Sequence, residues 1–322
     1  MAIQWLRRTW LLAAASALAL TACGGGSIVS SFKPSRIVAF GDGMADVGQT
    51  GAKFTVNDTS VNNWTQVVAN SFGLTLAPVA QGGTSYATGN ARVNTKPDAA
   101  GNSSTPTVVE QVDSFLAAGA PTAQDLIILN AGTSDVIAEV EATLNGTQTS
   151  DTMVAHVQQA GIDLAAQVRR LVNAGATHVV VAGPYNLSRS AWVTQADPSI
   201  QAKLASLADS ASGRFNDKLL VSLVDLGADV LYVDAALEFN LITGNPANNS
   251  LTDSTTVVCT SVDQGPGIGI GTNKVNSRLC TPSTIQSGLD FNKFLFADPV
   301  YPTPVGQRLF GDFAQARIHD RW

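Results

Sequence analysis

Apolar residues come along the chain in two rhythms. Short unbroken runs, at Ile37 to Phe40, Asp125-Leu-Ile-Ile-Leu-Asn130, His178-Val-Val-Val-Ala182 and Asp229-Val-Leu-Tyr-Val233, have the length and β-branched content of buried strands. Other segments repeat their apolar positions every three or four residues, the period of an amphipathic helix. These are Asn63 to Phe72, Val108 to Ala118, Thr152 to Ala174, Pro198 to Leu226 and Asp234 to Ile242, with a last one from Pro304 to about Ile318. Leu74 to Val79 reads as a further strand and Phe294 to Ala297 as a short apolar run. Gly-rich Gln81 to Gly89 and polar Asn90 to Thr107 read as loops. Strands alternating with helices of this length imply right-handed βαβ units and a mostly parallel sheet covered on both faces, an α/β/α sandwich. No internal repeat or linker interrupts the pattern after residue 34, so residues 35–322 are expected to form one domain.

The N-terminus follows neither rhythm. Arg7 and Arg8 precede an alanine-rich apolar run from Trp10 to Ala19, the layout of an export signal and too short for a stable membrane span. It ends in Leu20-Thr21-Ala22-Cys23, which resembles a bacterial lipobox. That resemblance implies cleavage after residue 22 and a lipid on Cys23, with the domain hanging from the membrane by a Gly/Ser-rich tether over residues 23–34. Gly24, where an aspartate would retain a lipoprotein at the inner membrane, implies the outer membrane. The arginine pair also suits a twin-arginine signal, so the export route stays open.

Composition narrows the remaining classes. The 322 residues are 45% hydrophobic and 14% charged, which suits a packed core. A formal net charge of -6 without basic runs argues against nucleic acid as a partner. Cys259 and Cys280 are the only cysteines after Cys23, and an even pair in an exported chain is most simply a disulfide. Closing that Gly/Pro/Ser/Asn-rich loop is worth about 3 kcal/mol. Two thiols without a nearby histidine do not suggest a metal, and no cofactor is implied.

The first apolar run stops at Gly41-Asp42-Gly43, a tight turn at a strand's carboxyl end, where open α/β sheets place their chemistry. The stretch Phe40-Gly41-Asp42-Gly43-Met44-Ala45-Asp46-Val47-Gly48 closely resembles the first block of the GDSL (SGNH) hydrolases, Phe-Gly-Asp-Ser-Leu-Ser-Asp-x-Gly. The resemblance covers nearly all of the mature chain. Ser85-Tyr-Ala-Thr-Gly-Asn-Ala91 resembles the second block, Gly132-Thr-Ser-Asp135 the third, and Asp298-Pro-Val-Tyr-Pro-Thr303 the fifth. It implies ester hydrolysis by a serine, a histidine base, an aspartate that orients it, and an oxyanion hole of two backbone amides and an asparagine. The chemistry-bearing positions depart from that pattern. Gly43 stands for the serine, Asn90 for the glycine donor (a shift of one restores Gly89), Ser134 for the asparagine and Tyr301 for the histidine, while Asp298 remains. A phenol with pKa near 10 is a poor base at neutral pH. Losing the serine or the histidine of such a unit costs on the order of 10⁶ in turnover.

Other residues offer substitutes. Ser85 or Ser134 would need an imidazole, but His156 lies within a helix, His178 starts a strand at the wrong end of the sheet, and His319 is near the C-terminus. Asp42, Asp135 and Asp298 would all sit at strand ends, where they form a cation or sugar site, a glycosidase pair, or simply caps of turns and helices. The favoured reading is an envelope pseudoenzyme that binds an acyl chain, glycan or protein in its vestigial cleft. An active esterase with atypical residues and a purely structural lipoprotein remain the alternatives.

Overall fold

The computed structural model describes residues 32–58 and 62–322. The expected signal peptide, Cys23 and the tether as far as Ser31 lie outside them. Strands β1 (Arg36–Gly41), β2 (Asp125–Asn130), β3 (Val179–Ala182) and β4 (Val230–Tyr232) form one parallel sheet in chain order. Their side chains are buried on both faces through β2 and β3, which is why the sequence runs apolar there without alternation. Arg36 fixes the β1–β2 register, its Nε donating to Asp125 Oδ1 at 2.9 Å and its second amino group to Oδ2.

One face is covered by α2 (Val108–Ala118), α3 (Thr133–Leu144), α4 (Ser150–Asn173) and α6 (Pro198–Val221), among which α4 and α6 pack most extensively. The other carries α1 (Trp64–Ser71) against α8 (Pro304–Arg321), with α7 (Ala235–Gly244) beside α8. Trp64 and Phe310 meet between α1 and α8 with ring centroids 4.8 Å apart, and the Trp64 indole N–H donates to Asn130 at the end of β2. Each fully buried side chain of this size contributes about 1.5–3 kcal/mol.

A subsidiary region follows α7. Strand β5 (Asp253–Val257) pairs in parallel with β8 (Phe294–Phe296), β6 (Val262–Asp263) with β7 (Lys274–Val275), and Cys259 is disulfide-bonded to Cys280 as expected. The short helix α5 (Ala191–Thr194) lies between β3 and α6.

The structure corrects the sequence reading in three places. Leu74 to Val79 is not a strand: Pro78 has no N–H to give a ladder, and Val79–Gln81 turns as a 3-10 helix. The edge of β1 is instead lined by Thr84 to Thr88, where Tyr86 N–H donates to Ala39 O and Thr88 N–H to Gly41 O. Helix α3 was not anticipated, although Val136, Ile137 and Val140 give it a buried face. The helix from Pro198 stops at Val221 rather than Leu226, giving way to a 3-10 turn at Val224–Leu226.

Candidate active site

The motif residues converge at the carboxyl ends of β1 and β2. Gly41 closes β1 with φ +143°, and its N–H and carbonyl are both held by the Gln111 side chain of α2 at 2.9 Å. Asp46 ties the first block together and to the second. Its Oδ1 accepts from the Gly48 and Gln49 amides, and its Oδ2 accepts from Gly89 N–H at 2.9 Å. That bond occupies the Gly89 amide. Asn90 adopts the left-handed conformation, φ +62°, and its amide donates to Gly267 O at 2.9 Å.

The third and fifth blocks meet the first around Gly43. Asp42 lies wholly buried, accepting from Met44 N–H at 3.1 Å and from Ser134 N–H at 3.3 Å. Asp298 accepts from Val300 and Tyr301 N–H on Oδ1, at 2.8 and 2.6 Å, and from Ser277 N–H on Oδ2 at 2.9 Å. The fifth-block turn is thus wrapped around its own carboxylate. It directs Tyr301 inward, completely buried.

There the phenol fills the position that a side chain at 43 would take. A Cβ placed on Gly43 would lie 2.7 Å from both Cζ and Oη of Tyr301 and 2.8 Å from Cε1. Carbon atoms at optimal separation stand about 3.5–4.0 Å apart. Gly43 and Tyr301 are therefore complementary in volume: the bare backbone of one accommodates the ring of the other. Phe54 packs tilted against that ring, with centroids 4.8 Å apart, and the Arg278 guanidinium lies over Phe54 at 5.8 Å.

These two covering residues were not singled out from the sequence. Phe54 is a lone aromatic in a polar loop, and Arg278 an ordinary basic residue two positions before Cys280. Their partners hold them in place. Asn57 N–H donates to Cys280 O at 2.8 Å, and the Asn57 amide donates to Ser277 O at 3.0 Å and Arg278 O at 3.3 Å. Arg278 donates to the Thr50 hydroxyl at 2.8 Å.

Burial governs the electrostatics. It pushes Asp42 up to about 7, against the Met44 and Ser134 amides that favour its charged form. It pushes Asp135 up to about 6, opposed chiefly by Arg92. Burial also raises Asp298, despite its hydrogen bonds from Ser277, Tyr301 and Val300. The Tyr301 phenol rises well above its ordinary value, first through burial and then through the charges of Asp42 and Asp298. A phenol so placed holds its proton and does not serve as a base at neutral pH.

The candidate substitutes do not assemble into a catalytic pair. The Ser85 hydroxyl is buried without a protein hydrogen-bond partner, and the buried Ser134 hydroxyl faces the Tyr301 phenol, whose rise it moderates. His156 pairs with Glu139 at 2.8 Å, His178 stacks on Phe32 with centroids 3.6 Å apart, and His319 sits beside Phe72. None of these places an imidazole beside a serine. Asp42 and Asp298 are committed to backbone amides, while Asp135 accepts from Val93 N–H at 3.0 Å and pairs with Arg92 at 3.4 Å. No metal-holding group of three or more such side chains occurs among the described residues.

The sequence profile of the GDSL-like Lipase/Acylhydrolase family matches residues 37–313, a span running from β1 into α8. No curated protein matches the chain.

Proposed function

We propose, from the premise that this chain belongs to the GDSL-like lipase/acylhydrolase family, that it is a non-catalytic member acting by binding rather than by ester hydrolysis. In this reading Cys23 carries a lipid that holds the domain on a bacterial envelope membrane, the outer membrane by the Gly24 criterion. One observation supports the loss of catalysis above the others. The Tyr301 ring stands where a nucleophile on residue 43 would project, so nucleophile and base positions are filled by a single inert phenol. Removing either member of a serine–histidine unit costs on the order of 10⁶ in turnover, and the side-chain oxyanion donor is absent as well.

The closed centre also bears on binding. With Gly43, Asp42, Ser134, Asp298 and Tyr301 all buried, an acyl, glycan or protein partner would meet the surface around the centre rather than the centre itself. The test is hydrolysis of a short activated ester by the purified mature protein. No turnover above a solvent blank is expected. Turnover that falls on Ser134→Ala or Tyr301→Phe would overturn the reading in favour of an esterase with atypical residues.

A further inference from the structure

We infer that the cavity between the C-terminal end of α3, the α5–α6 segment and the β6–β7 hairpin is a saccharide-binding site. Its volume is about 510 Å³, within the range of about 300–1,000 Å³ usual for small-molecule pockets. Trp192, Ile200, Ile270, Val257 and Pro299 supply apolar wall, and Glu141, Asn145, Gln195, Asp197, Lys203 and Lys274 supply donors and acceptors.

The lining decides the class of ligand. The two lysines are matched by two carboxylates, so the cavity offers hydrogen bonds of both kinds without a surplus of either charge. A simple anion would call for surplus cations, and an acyl chain for walls without charged groups. A sugar ring has an apolar face bordered by hydroxyls that both donate and accept, which suits an indole set among amides, carboxylates and ammonium groups. Neither Lys203 nor Lys274 forms a close ion pair among the described residues, and Lys274 acts on Glu141 through its charge alone. The rim is also held in place. The Trp192 backbone N–H donates to Pro299 O at 2.6 Å, and the Gln195 side-chain amide donates to Thr255 O at 2.6 Å, leaving its carbonyl oxygen for a ligand. Glu141 is half-buried, its carboxyl raised by that burial and opposed by Lys274 and Asn145.

The site is separate from the ester centre. It touches the fifth block only at Pro299 and reaches α3 near its C-terminal end, whereas Ser134 is at the helix's start. The inference therefore stands or falls independently of whether esters are hydrolysed.

Isothermal titration of the mature protein with cellotriose, maltotriose and chitotriose, with dodecanoate as the amphiphile comparison, tests it. At least one trisaccharide is expected to bind saturably at millimolar or lower concentration. Trp192→Ala should weaken that binding about tenfold or more, the scale of one lost aromatic contact, while Val224→Ser, on an exposed surface elsewhere, should not. If Trp192→Ala does not fold, Gln195→Ala and Lys203→Glu change exposed residues of the same rim and should weaken binding likewise. The inference is overturned if none of the three sugars binds, if binding is indifferent to all three rim variants, or if dodecanoate alone binds.

Discussion

At the scale of single residues the decisive feature is a pair. Gly43 alone reads as a missing nucleophile and Tyr301 alone as a missing base, yet the two are sterically linked. A side chain at 43 would press on a buried aromatic ring held between Phe54 and the turn around Asp298. Overpacking of this kind costs about 1–3 kcal/mol. Gly43→Ser should therefore destabilise the protein by about that amount, and Tyr301→His should relieve much of the added strain. Denaturant unfolding of the two single variants and the double would give a favourable coupling. Additive effects would argue against contact.

Asp42 makes a second residue-scale prediction, in pH. Its folded pKa, about 7, lies above the ordinary carboxylate value, so the folded state holds the proton more tightly. The resulting stability is fully present below about pH 4 and is lost as pH rises through 7. Asp135, raised to about 6, acts in the same direction, whereas His178, lowered by burial, acts oppositely as pH rises towards its ordinary value near 6.5. The difference isolates the group: Asp42→Asn should flatten the fall in stability between pH 5 and 7.5, within the range set by these values. An unchanged slope in chemical denaturation across that range would contradict the assignment.

At the scale of elements, the disulfide does more than close a floppy loop. Residues 276–280 form a strap whose Ser277 amide bonds Asp298 and whose carbonyls receive Asn57. Asn57 in turn steadies the loop that delivers Phe54 onto Tyr301, its side chain accepting from Lys53 N–H. Cys259→Ser should lower stability by about 2–4 kcal/mol and should also quicken chemical iodination of Tyr301, followed by peptide mapping. A stability loss with no change at Tyr301 would make the bridge a local staple only.

The strands were legible because burial on both faces removes polar positions, leaving runs that few other structures share. Leu74 to Val79 misled because half-buried loops also alternate, and only Pro78 marked the difference. Helix α3 escaped because it opens on Thr133, Ser134 and Asp135, residues that equally suit a turn, directly after a glycine with φ +110°. The motif positions were named from the resemblance to the family's blocks, and Asp42, Gly43, Ser134 and Tyr301 lie together in the fold. Phe54 and Arg278 could not be named that way, since their role depends on two loops distant in sequence meeting over one ring.

At the scale of the whole molecule, the protein has its family's α/β/α architecture, and the residues at its motif positions are buried. The sheet, the two helical layers and the turns bearing each motif are present, and Tyr301 and Phe40 rank among the largest fully buried side chains. The same scale carries the proposed anchor. Cys23→Ser should shift the protein from membranes to a soluble exported form, or leave an uncleaved precursor. Fractionation identical to the parent after salt washing would argue against a lipid at that position.

On the proposed reading, the frame of an ester hydrolase survives here without the groups that run it. Turnover of a short activated ester by the parent and by Gly43→Ser/Tyr301→His, compared side by side, tests this most directly. A parent at the solvent blank and a double variant above it are expected, because the turn at residue 43 and the turn around Asp298 already face each other. A parent that hydrolyses the ester as fast as the double variant, or faster, would contradict that reading.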